Sequence, residues 1–191
     1  MAETENQTEP KLDAEVSLSP GTQRLYRVMA ATAMGLVFLI PLVSAFYWFD
    51  IWQLEGLGRE RDFILSEETS AGRRAFAFVL ALLPQLILIY GLWRLARLFG
   101  SFADGVLFSG DTLGDLRAFA RCILGFVVAD FLMEAPLSVF MSWTNLPGER
   151  ELSLSFGSSD FQLLLVGALV FGLSHMVAEG LRLARENAEF V

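Results

Sequence analysis

Three long intervals without a charged side chain constrain this chain more than any other feature. The residues from Val28 to Phe49 and from Ala75 to Trp93 carry no charge, and from Phe161 to Ala178 only His175 can titrate near neutral pH. A hydrocarbon layer about 30 Å thick is crossed by roughly 17–25 helical residues. Each interval has that length, so each is expected to form a transmembrane helix. The composition agrees: 54% of the residues are hydrophobic and 19% charged, against about 45–50% and about 25% in soluble domains. A largely disordered chain is excluded, and a water-soluble globule is not expected.

A fourth span is harder to see, because the apolar run from Ala118 to Met141 holds Arg121, Asp130 and Glu134. Its length and its place between clear spans favour a membrane helix that carries polar groups for a reason. Pro136 is expected to loosen its outer end by removing a backbone donor. The fold class is therefore all-α, a polytopic membrane protein with spans at about 28–49, 75–93, 118–141 and 161–178.

Basic residues give the orientation. Lys11, Arg24 and Arg27 flank the first span, Arg94, Arg97 and Arg117 lie in the middle loop, and Arg182 and Arg185 follow the last span. The two other loops hold Arg59, Arg61, Arg73, Arg74 and Arg150. The positive-inside rule then puts both termini and the middle loop in the cytoplasm. Residues 1–20 lack the basic start and adjoining apolar stretch of a signal peptide. With Glu3, Glu5, Glu9, Asp13 and Glu15 they read as a disordered acidic tail. Ser19 and Pro20 supply an N-cap and a favoured first helical residue. Trp48, Trp52, Trp93 and Trp143 fall near span ends, where interfacial tryptophans sit.

Inside the membrane, Asp130 and Glu134 are one helical turn apart and share a face with Ile123, Val127 and Leu137. Asp130 lies about 20 Å from the cytoplasmic boundary and Gln85 about 13 Å, so the two could bond if their helices touch. An ionised Asp at mid-span costs about 2.5–3.5 kcal/mol, and protonation or a polar partner is expected. Asp130, Glu134 and Gln85 thus form a candidate polar site, either responsive to protons or cations or simply fixing helix packing. His175 and Glu179 have one-turn spacing, but no second His is present and a metal site is not expected. Cys122, Gly125 and Ala129, and likewise Ala168 and Gly172, make small-residue stripes suited to close packing. No HExxH, phosphate loop, dinucleotide fingerprint or nucleophile elbow is present, so neither catalysis nor a cofactor is expected. A formal net charge of −8 argues against direct nucleic-acid binding, and the single cysteine excludes an internal disulfide.

The middle loop runs from Arg94 to Ser109. Arg94 and Arg97 are placed to meet anionic headgroups, Gly100, Asp104 and Gly105 mark a turn, and Ser109 or Asp111 can cap the next helix. Phe99, Phe102 and Phe108 either lie on the lipid surface or dock a partner. The stretch from Leu98 to Arg117, with its Gly-Val-Leu-Phe-Ser turn leading into a Leu-Arg helix, is similar to the hallmark of the bacterial membrane family called domain of unknown function 2975. The tail from Ala178 to Val191 resembles that family's ending, although Ala184 and Arg185 stand where acidic residues are common. The resemblance implies a bacterial inner-membrane protein, often encoded beside a small helix-turn-helix regulator, and carries no catalytic residues.

Three functions follow as expectations. The first is a regulatory or accessory protein that binds a cytoplasmic partner through Arg94, Arg97, Phe99, Phe102, Phe108, Arg182 and Arg185. The second is a small ion- or proton-coupled transporter or sensor using Asp130, Glu134 and Gln85. The third is a purely structural membrane subunit, with homo-oligomerisation open in each case.

Overall fold

The computed structural model describes residues 18–49, 71–107, 109–143, 152 and 154–189. Those residues contain four helices and no strand: α1 (Pro20–Phe49), α2 (Ala71–Ala103), α3 (Gly110–Ser142) and α4 (Ser158–Glu189). All four are long and apolar enough to cross a membrane, α3 included despite its carboxyls. The acidic tail before Leu18 and Trp52 lie outside the described residues.

Each helix outruns the apolar interval that announced it. Arg, Glu and Leu are good helix formers, so the backbone ladder continues after the lipid-matched composition stops. α2 runs on from Arg94 to Ala103, α3 starts before Ala118, and α4 continues beyond Ala178 to Glu189. These extensions add helix about 12–17 Å long, all at the end of the molecule where α1 begins.

The helix ends are set by local chemistry. Ser19 caps α1, its Oγ accepting from the Thr22 amide at 3.3 Å, with Pro20 in the first turn. α2 closes in a Schellman motif: the Val106 amide donates to the Ser101 carbonyl at 3.0 Å and the Gly105 amide to Phe102 at 3.1 Å. The closing residue has φ 84°, which glycine adopts without a Cβ clash, and Gly105 occupies it. Ser109 then opens α3 with a reciprocal capping box, accepting from the Thr112 amide at 3.1 Å while its own amide donates to Thr112 Oγ1 at 3.0 Å. Of the two expected caps for α3, Ser109 is the one used. Before α4, the Gly157 amide donates to Asp160 Oδ2 at 2.9 Å.

Among the described residues, the helices whose backbones come close are consecutive ones, α1 with α2, α2 with α3 and α3 with α4. Small residues govern how close. A Cβ on Gly91 would stand 2.6 Å from the Cβ of Cys122, so α2 and α3 nearly touch there. Gly125 faces Ile87 across the same seam at 3.6 Å. Between α3 and α4 the close point is Gly167, where a Cβ would meet Leu124 at 2.9 Å and Ile123 at 3.0 Å. The stripe of Cys122 and Gly125 is used as expected, whereas Ala168 and Gly172 are exposed and Gly172 has open space beside it. The packed face of α4 carries Asp160, Gly167 and Ser174 instead, seven residues apart and all buried.

α3 runs through Pro136 to Ser142, with the proline inside the helix. Its neighbours hold the turn there: Ser138 is buried and donates to the Ala135 carbonyl at 2.9 Å. One expectation is corrected: Trp48 is not an interfacial anchor but is 4% exposed, in a cluster with Ala77, Ala81 and Leu137. The two alanines leave room for an indole between helices. Trp93 and Trp143 are exposed at span ends, as expected. Large apolar side chains such as Phe38, Leu132 and Met176 also face outward, which suits a surface covered by lipid chains.

Candidate functional site

The most distinctive polar feature lies where α2 and α3 project beyond their apolar segments. Asp115 is 3% exposed on the face of α3 that continues through Ala118, Cys122 and Gly125 toward α2. Arg94 and Arg97, one turn apart on α2, reach it from the other side. Asp115 Oδ1 is 2.7 Å from Arg94 Nε, and Oδ2 is 3.8 Å from Arg97 Nε. The Arg94 Nε–H does not point along its short contact, so this is an ion pair held by proximity rather than a linear hydrogen bond. Gly114 leaves space for the arm: a Cβ there would have Arg94 Nη2 as its neighbour at 4.0 Å.

Such a pair is favourable only because each charge has the other. Removing a carboxylate and a guanidinium from water is costly, and their attraction offsets that cost when they remain together. Arg97 is tied more loosely, with its side chain 49% exposed and its guanidinium carbon 5.3 Å from the centre of the Trp93 ring. On α3, Arg121 Nε donates to the Arg117 carbonyl at 3.3 Å.

Of the residues expected to form an intramembrane site, Gln85 and Glu134 each bond a serine. Gln85 turns toward α1, donating from Nε2 to Ser44 Oγ at 3.0 Å. Glu134 accepts twice from Ser155, at 3.1 Å from its amide and 2.6 Å from its hydroxyl. That carboxylate fastens the segment leading into α4 onto α3, where Phe131 and Phe156 also meet edge to face at 6.1 Å. Asp130 is half-buried one turn away. Depth alone does not select a partner: two side chains at similar depth meet only if both face one seam, and Gln85 reaches the α1 side of α2.

Among the expected docking residues, Phe99 and Phe102 are half-buried and pack within the chain. Phe102 meets Tyr26 of α1 at 5.4 Å and Phe99 at 6.3 Å, an aromatic cluster tying the start of α1 to the end of α2. Phe108 lies outside the described residues, and the side chain of Arg185 does so too. Arg182 is exposed on the projecting part of α4, paired with Glu179 and, at 3.9 Å, with Glu186. His175 is exposed and stacks on Phe171 at 4.8 Å, and no metal-binding cluster occurs among the described residues.

Asp115, Ser44 and Ser155 are the polar residues that sequence reasoning missed. Asp115 carried a usable signal, since it falls on the same helical face as Ala118, Cys122, Gly125 and Ala129. A carboxylate in register with a small-residue stripe points into a helix seam. Ser44 and Ser155 offered no such signal.

The chain was compared with protein-family models, curated proteins and solved structures, and none of them matches.

Proposed function

We propose that this is a multi-pass inner-membrane protein with a regulatory or accessory role, which presents a helical platform to a cytoplasmic partner. The observation that supports it most is the projection of α2, α3 and α4 beyond their apolar segments, with α2 and α3 fixed by the Asp115 pair and two capped ends. A span that only crossed a bilayer would need no such extension, whereas a docking platform needs its elements held in one arrangement. The charged, exposed surface around Glu179, Arg182 and Glu186 on α4 is the part of the platform best exposed to a partner. The basic-residue distribution supports a cytoplasmic location for this end and for both termini.

The resemblance to domain of unknown function 2975 suggests the partner class, a small helix-turn-helix regulator of the kind often encoded beside that family. Tagged protein extracted from membranes is expected to carry that regulator with it, and the tagged regulator to recover the membrane protein. Failure in both directions, with both proteins expressed, overturns the reading. Reversing the charge of Arg182 is expected to weaken recovery by about five- to tenfold, the scale of one charged contact at an interface rim. The alternative, an ion- or proton-coupled transporter or sensor, would use Asp130, Glu134 and Gln85, of which Gln85 bonds Ser44 and Glu134 bonds Ser155.

A further inference from the structure

The outward face of α2 carries a graded line of side chains. Leu86, Tyr90, Trp93 and Arg97 are all exposed and recur at helical spacing. Along this face the side chains pass from aliphatic to aromatic to cationic over about 16 Å of axis. Tyr90 and Trp93 lie side by side with ring centres 5.8 Å apart, and Arg97 rests over the indole. This is the order in which acyl chain, glycerol region and phosphate follow one another in a lipid leaflet.

The charges at the cationic end of this line do not balance. Asp115 is one carboxylate between two guanidiniums, and Arg94 has the 2.7 Å contact. Arg97 keeps only a 3.8 Å approach through Nε, and its terminal Nη groups make no hydrogen bond among the described residues. A planar, half-exposed guanidinium braced by an indole and lacking a close counter-ion is suited to two parallel hydrogen bonds to a phosphate.

We propose that Arg97, braced by Trp93 and positioned by Asp115, binds the phosphate of an anionic phospholipid whose acyl chain lies along Tyr90 and Leu86. One net positive charge in the cluster matches one net negative charge on the headgroup. A zwitterionic lipid brings its own ammonium and gains less. The inference rests on the membrane-spanning helices alone and does not depend on the cytoplasmic partner.

The test is native mass spectrometry of the purified full chain, titrated with phosphatidylglycerol or phosphatidylcholine in detergent. Phosphatidylglycerol is expected to be retained about fivefold more, the effect of one arginine near a membrane surface. Arg97→Gln is expected to remove that preference, and Arg121→Gln, an exposed arginine on α3, to leave it unchanged. An undiminished preference in R97Q overturns the proposal. So does an equal loss in R121Q, which marks bulk charge rather than a site. Displacement of the lipid by millimolar inorganic phosphate also overturns it, assigning the guanidinium to a free anion.

Discussion

Asp115 and Gly91 show at the scale of single residues how tightly the α2–α3 seam is specified. Asp115→Asn leaves the Arg94 guanidinium beside a neutral amide, but that arm is 23% exposed and can regain some water. The expected loss is about 1–3 kcal/mol, below the full penalty for breaking a fully buried pair. Arg94→Gln should cost a similar amount and the double variant less than the sum, as read from thermal unfolding in detergent. Additive losses would show that the pair is not coupled. The glycines form a graded series. Gly91→Ala presses a methyl into Cys122 Cβ at 2.6 Å, where helix backbones must shift, and is expected to cost about 2–3 kcal/mol. Gly167→Ala meets Leu124 and Ile123 side-chain ends that can turn aside, costing about 1 kcal/mol. Gly172→Ala has open space and should be neutral or stabilise slightly, by up to about 1 kcal/mol of helix propensity. Melting temperatures in any other order would refute the seam geometry.

Among the elements, the helix ends decide where each span becomes a projection. Ser109→Ala removes an N-cap whose Oγ bonds the Thr112 amide, and is expected to destabilise α3 by about 1 kcal/mol. Hydrogen exchange should quicken at the first turn of α3 and spread little further, because the Arg94–Asp115 contact still pins the next turn. At the opposite end, Glu134→Ala deletes both acceptors of Ser155, while Glu134→Gln retains one carbonyl. A cysteine replacing Ser155 in the Ala background should react with a water-soluble maleimide several-fold faster than in the Gln background. Equal rates would mean that Glu134 does not hold the segment before α4.

For the whole molecule, the open order of contacts and the single projecting end define what a topology experiment should find. A cysteine introduced at Leu65 is expected to be labelled from the periplasm, and one at Asp104, in the turn between α2 and α3, only after the membrane is opened. The reverse pattern would invert the molecule and move the platform to the other side. The membrane class and the number of helices were legible in the chain because charge in hydrocarbon is costly enough to be excluded from most spans. α3 was legible too, since its length outweighed Asp130 and Glu134. The site was less so, because membrane depth follows from position along one helix, whereas pairing depends on rotation about its axis.

That distinction separates what sequence determined from what only the fold decided. Sequence by itself determined four apolar segments, the cap at Ser19, a glycine turn after α2 and a cap for α3 at Ser109 or Asp111, each a local consequence of solvation or backbone geometry. The tertiary structure decided that Gln85 meets Ser44, that Glu134 holds Ser155, that Trp48 is buried and that Asp115 lies between Arg94 and Arg97. These pairings need residues far apart in the chain to face one seam at one depth. A single amino-acid sequence records neither the rotation of each helix nor the neighbour it turns toward.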